Sequence, residues 1–238
     1  MASPARGATA LLALLACLSP EAAAAKDDDE GEHDASPPRK HHRILLFGPP
    51  AVGKGTQARH IVEKYGVCHV STGDMLRAEA AAEKPSPLGK RAKKLMAAGK
   101  LLPDALMIRM VKRRLRRDRS CRKHGWLLDG FPRTAPQAHA LLAAGLVPHH
   151  VIVLNATVET VLGRVRARAA AAKARGEEPR ADDNEATMRR RLIEYERNRE
   201  ATLSALRRYL RHATVDGGAS EATVGASVAA AVASGQQR

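Results

Sequence analysis

The segment Gly48-Pro49-Pro50-Ala51-Val52-Gly53-Lys54-Gly55-Thr56 carries the most specific chemistry in the sequence, with the spacing GxxxxGK. Glycines at this spacing let the backbone turn tightly and point its N–H groups inward, so that the loop cradles a phosphate chain at the N-terminus of the following helix. Lys54 would then reach the β- and γ-phosphates of a nucleotide. The residue after the lysine is Gly55, and the hydroxyl comes one place later, on Thr56. A Gly/Pro turn shares this composition, but the apolar run before it and the helical pattern after it favour a phosphate site. Asp129 follows the apolar stretch Trp126-Leu127-Leu128, which puts a carboxylate at a strand's carboxyl end. Such a carboxylate suits the water shell of Mg²⁺, an ion that takes few direct protein ligands, although Asp-Gly is also a common turn. Arg164 and Arg168 lie one helical turn apart and share a face, where guanidinium forks can bind phosphate oxygens.

The elements that must hold these groups are short apolar runs alternating with longer helical patterns. Residues 44–47, 67–70, 126–128, 151–154 and 213–215 read as buried strands, and 56–64 and 186–211 as helices. Strands alternating with helices predict a parallel sheet with helices on both faces, and with the phosphate loop after the first of five strands this reads as a P-loop NTPase-type three-layer αβα fold with a five-stranded parallel sheet. Its ligands sit at the carboxyl ends of the strands.

The GKGT ending of the loop, Ser71-Thr72-Gly73-Asp74-Met75-Leu76-Arg77, Leu128-Asp129-Gly130-Phe131-Pro132-Arg133-Thr134, Gln137 and Arg180-Ala181-Asp182-Asp183-Asn184 occur in the order found in adenylate kinases. The chain resembles that family from Arg43 to about Val232. The resemblance implies transfer of a phosphoryl group between ATP and AMP, giving ADP, with Mg²⁺ bound with ATP and no zinc. It places the ATP phosphates on residues 48–56, the ATP adenine against Arg164 and Arg168, and the ATP base on the loop before Ala219. It assigns Thr72, Arg77, Met96, Lys100, Leu101, Leu102, Gly130, Phe131, Pro132, Arg133 and Gln137 to AMP. Arg180 and Arg191 close over the transferring group, and Lys54, Asp129, Arg133 and Arg168 complete the catalytic set. Thr72 could also cap its helix. Small insertions are implied for the monophosphate, near 71–102, and for a short lid, near 168–180. Extra residues at Ala169–Ala174 leave Arg175 as an alternative to Arg168. UMP/CMP kinases resemble the same pattern but have Ala where Thr72 stands and Asn where Thr134 stands.

The chain has 238 residues, 40 Lys+Arg against 25 Asp+Glu, a net charge of +15 and 44% hydrophobic residues. That charge invites a polyanion, and the basic stretch Arg109–Lys123 is expected on one helix. With only one Trp, three Tyr and two Phe, the chain has few platforms for unpaired bases, so specific nucleic-acid binding is not expected. A nucleotide-binding or polyanion-binding protein without catalysis is a further alternative, opposed by the retained Lys54, Arg133, Arg180 and Arg191. Cys17, Cys68 and Cys121 are too few and too scattered for a disulfide framework or a CxxC zinc site, and if Cys17 is removed with the leader, Cys68 and Cys121 remain as a pair that could be free thiols. The apolar run Ala8–Leu18 and the small residues before Lys26 read as a secretory or organellar leader over 1–25, with a cytoplasmic chain as the alternative. An acidic, Pro-containing linker over 26–42 precedes the domain at 43–238, expected to be monomeric and off the membrane once processed.

Overall fold

Alternate residues of a strand face opposite sides of a sheet, and a strand apolar at every position must be covered on both. Residues 44–47 of the first strand have this character. A computed structural model describes residues 41–207 and 212–234, and in it β1 spans His42–Phe47. Leu45 and Phe47 enter one apolar cluster with Trp126, Leu128, Met107, Val111 and Leu141. Ile44 and Leu46 enter the other, with Leu127, Ile152, Ile61, Val224 and Val228.

The remaining strands are β2 (Cys68–Ser71), β3 (Gly125–Asp129), β4 (His150–Asn155) and β5 (His212–Asp216). All pair in parallel, in the order β2-β3-β1-β4-β5, with Leu45 in register with Leu128 on one side and Val151 on the other. The five apolar runs are therefore the five strands of the expected α/β fold. Helices α1 (Lys54–Tyr65) and α9 (Glu221–Ser234) cover one face of the sheet. The other is covered by α4 (Asp104–Arg117), α6 (Ala135–Ala143) and the end of α8 (Glu185–Arg207). Between β2 and α4 stand α2 (Thr72–Ala81) and α3 (Pro87–Ala97), and α7 (Val158–Ala174) packs against α8 through Val161, Val165, Met188 and Leu192.

Several local expectations are corrected. Ser71, not Thr72, is the N-cap of α2, its hydroxyl accepting from the Asp74 N–H at 3.3 Å. The basic stretch 109–123 is two helices, α4 and α5 (Arg119–His124). Asp118 breaks the run: its carboxylate accepts from the Ser120 N–H at 2.8 Å to cap α5 and pairs with Arg114 at 2.9 Å. Residues 169–174, all Ala apart from Lys173, continue α7, as their helix propensity favours. The leader, and all but the last residues of the linker, fall outside the described residues, as do the last residues, 208–211, of the expected helix 186–211. Among the described residues no helix is long and apolar enough to cross a membrane.

Cys68 and Cys121, a pair that from the sequence could be free thiols, form a disulfide, with Cα atoms 4.7 Å apart. It ties the edge strand β2 to the helix that leads into β3, a juxtaposition created by the parallel sheet and invisible at a separation of 53 residues. Closing a loop of that length restricts the unfolded chain by about 4 kcal/mol on chain-entropy arithmetic. Replacing both cysteines by alanine should therefore lower stability by about 2–4 kcal/mol in denaturant titration, and reduction should destabilise the native protein but not the double variant.

Candidate active site

In a parallel sheet the ligand crevice lies beyond the carboxyl ends of the strands. Each of the five strands here delivers part of one cleft of about 920 Å³. β1 runs into the loop at Gly48, and the loop turns into α1 through Gly53, whose φ of 105° lies in the left-handed region that favours glycine. Ala51 holds a φ of 59° in the same loop, a strained value for a residue with a side chain. The loop is braced from two sides. Lys54 Nζ donates to the carbonyls of Gly48 at 2.9 Å and Pro49 at 2.7 Å, and Arg164 Nη1 donates to the Val52 carbonyl at 2.7 Å.

Gly48 and Pro50 through Thr56 line the cleft, as do Arg164, Arg168 and Ala219. Pro49 does not; it contributes its carbonyl to Lys54. Of the residues assigned to the monophosphate, Arg77, Met96, Lys100, Leu101, Leu102, Gly130, Pro132, Arg133 and Gln137 all face the same space. Thr72 and Phe131 do not. Thr72 is fully buried, and its hydroxyl donates to the Gly130 carbonyl at 2.8 Å, so it shapes the turn after β3. Gly130 has a φ of 76°, and a Cβ there would meet the Thr72 hydroxyl at 2.9 Å. Phe131 is 2% exposed and packs into the core beneath the site.

Cations crowd this cleft. Burial lowers Lys54 to about 8; nearby Asp129 opposes the shift while Arg133 and Arg191 add to it. Burial also lowers Arg133 to about 10, with the Arg191 charge working in the same direction, and it lowers Arg180 and Arg191. Arg133 is steadied by donating from Nε to the Gly130 carbonyl at 2.7 Å.

Carboxylates that carry no assigned role in the sequence motifs hold three of the arginines. Arg191 pairs with Asp182, Arg168 makes a two-pronged pair with Asp183, and Arg77 pairs with Asp74. Asp182 and Asp183 are buried, as a desolvated guanidinium requires of its partner. Their position just after Arg180 was the available signal. Burial works to raise the Asp74 carboxyl, but hydrogen bonds from Arg77 and Ser71 outweigh it and hold the group below its ordinary value. Arg180 faces the cleft in no ion pair among the described residues. Arg175 also faces it, exposed and paired with Glu177 two residues on, whereas Arg168 is anchored on a buried partner.

Asp129 stands at the end of β3 beside Lys54 and Arg133. Unlike Asp74, Asp182 and Asp183, it is in no ion pair among the described residues. A hydrated magnesium ion fits this donor, which leaves the ion most of its waters.

A phosphate loop on a five-stranded parallel sheet, with a second set of cations across one cleft, defines a P-loop phosphotransferase with room for two phosphorylated ligands. Residues 46–209 match the family model described as adenylate kinase. The adenylate kinase of Nitrobacter winogradskyi is 44% identical over 179 residues, which cover 74% of this chain and 85% of that protein. The chain belongs to the adenylate kinase family, whose members are nucleoside monophosphate kinases.

Because Lys54 titrates near 8 in the folded chain against 10.5 for the free side chain, its charge opposes folding below pH 8, and that cost disappears as pH rises from 8 to 10.5. A polyphosphate beside the amine favours its charged form and raises the value again. Nucleotide binding above pH 8 should therefore draw a proton from the buffer, visible by calorimetry in buffers of different ionisation enthalpy. Lys54→Met should abolish that uptake.

Proposed function

We propose that this protein catalyses the reversible, Mg²⁺-dependent transfer of a phosphoryl group from ATP to AMP, yielding two molecules of ADP. The observation that carries this reading is the convergence of Lys54, Arg133, Arg180 and Arg191 on one cleft, where burial and mutual repulsion lower their proton affinity. Such a constellation is stable when filled with negative charge, and two phosphate chains placed end to end supply it.

Phosphoryl transfer asks the protein for alignment, charge stabilisation and exclusion of water rather than for a covalent intermediate. The loop amides and Lys54 hold the donor's phosphates, and Arg77 and Arg133 hold the acceptor's phosphate. Arg180 and Arg191 meet the group in flight, where equatorial oxygens carry the charge and guanidinium forks stay protonated. Arg164, bonded to the Val52 carbonyl, fixes the loop against α7. Asp129 would hold a magnesium ion through one of its waters, and the ion would supply positive charge to neutralise the phosphates. The segment 175–184 and the α2–α3 pair close over the ligands and keep water from the phosphoryl group.

The apolar leader pattern and the Cys68–Cys121 disulfide together support residence in an oxidising compartment, secretory or organellar, since structural disulfides persist there.

In a coupled assay the protein should transfer phosphate from ATP to AMP in preference to UMP, CMP and GMP. Preference for UMP or CMP would reassign the acceptor. Lys54→Met and Arg133→Met should each lower turnover by about 10²–10³-fold with the circular dichroism spectrum retained.

A further inference from the structure

Asp104, the first residue of α4, belongs to none of the sequence motifs, yet one oxygen of its carboxylate is committed to a residue of the acceptor pocket and the other to the cap of the helix that carries it. Oδ1 accepts from Gln137 Nε2 at 2.7 Å, and Oδ2 accepts from the Thr134 hydroxyl at 3.0 Å. The amide oxygen of Gln137 in turn accepts from the backbone N–H of Arg133 at 2.8 Å. Thr134 caps α6 by accepting from the Gln137 N–H at 3.3 Å. Gln137 is 2% exposed and borders the cleft.

A carboxylate only accepts hydrogen bonds, and a backbone N–H only donates. The Gln137 amide can therefore satisfy both neighbours in one orientation alone, NH₂ toward Asp104 and oxygen toward Arg133. Reversal would set oxygen against oxygen and N–H against N–H in a buried place, where unsatisfied polar groups are costly. What the amide still offers is one N–H and one lone pair, in fixed order. That order matches an edge on which a ring nitrogen acceptor stands beside an amino donor, as in adenine. On the corresponding edge a 6-oxopurine carries a ring N–H beside a carbonyl, the reverse order. A freely turning amide would serve both bases; a locked one serves adenine.

We propose that Asp104 is a positioning residue that sets the preference for adenine over 6-oxopurines in the acceptor monophosphate by locking the Gln137 amide. The inference rests on the AMP-acceptor reading given above. The same carboxylate, through Thr134, ties the start of α4 to the start of α6. The base-lining stretch Lys100–Leu102, which leads into α4, is thereby held beside the phosphate-binding Arg133.

Transfer from ATP to AMP and to IMP is compared in the full-length wild type and in Asp104→Asn, whose amide can face either end of Gln137 and so removes one of the two constraints on its orientation, leaving that of the Arg133 N–H. The variant should raise KM for AMP about tenfold and lower the AMP-to-IMP ratio of kcat/KM about tenfold, the effect of one well-placed hydrogen bond. Its kcat with AMP should stay within about twofold and KM for ATP should not move, because nothing at the phosphates has changed. Asp104→Glu, which keeps the charge and displaces the oxygens, should lose the ratio in the same direction and carries the test if the asparagine variant does not fold. In a Gln137→Met background Asp104→Asn should leave the ratio unchanged, the signature of action through that amide. An unchanged AMP-to-IMP ratio in the single variants, or an equal loss with both acceptors, would overturn the proposal while leaving the AMP-kinase reading intact. A wild type that uses neither AMP nor IMP would instead overturn the function itself.

Discussion

Like charges held together out of water are the constraint around which this molecule is organised. Lys54, Arg133, Arg180 and Arg191 share one cleft, and burial lowers the proton affinity of each. Such a cluster cannot be held by short-range packing alone, because every flexible cation would leave for solvent. The parallel sheet answers this by bringing five strand ends to one place. The chain leaves them as the phosphate loop, the Ser71-capped helix, Asp129 with its glycine turn, the helix bearing Arg164 and Arg168, and the loop before Ala219. The two apolar clusters keep those ends in register, and the Cys68–Cys121 bond fastens the edge strand that would otherwise have a single neighbour.

Local chemistry was legible in the sequence where it depends on neighbours in the chain. The phosphate loop, the five strands and Asp129 at a strand's end follow from spacing and hydrophobic pattern, and the resemblance to adenylate kinases located the arginines. What the sequence hid depends on groups brought together over long separations. Asp104 reaches Gln137 across 33 residues and Cys68 reaches Cys121 across 53, and neither pair has a spacing that announces it. Thr72 and Phe131 show a different gap. Both lie within motifs most of whose members face the cleft, but one hydroxyl is bonded to the Gly130 carbonyl and one ring packs in the core. A motif marks a place where the chain is constrained, and a constraint can be a turn or a packing contact as readily as a ligand contact.

The basic excess of the sequence divides along the same line. Charges in the cleft are desolvated, and several are matched to carboxylates, whereas those of α4 and α5 lie mainly on exposed helix faces, where Asp118 interrupts them. One set does its work through geometry. The other raises the overall charge without converging on any point.

The pairs Arg168–Asp183 and Arg191–Asp182 give the cleft resident anions of its own. A phosphate bound at either arginine, as the proposed mechanism has it, would exchange one negative partner for another. Departure is the reverse exchange, with the aspartate ready to resume its place. A reaction that runs between one triphosphate with one monophosphate and two diphosphates has to release ligands of similar charge on both sides. Internal counter-ions of this kind would oppose a grip on either set so firm that turnover stalls.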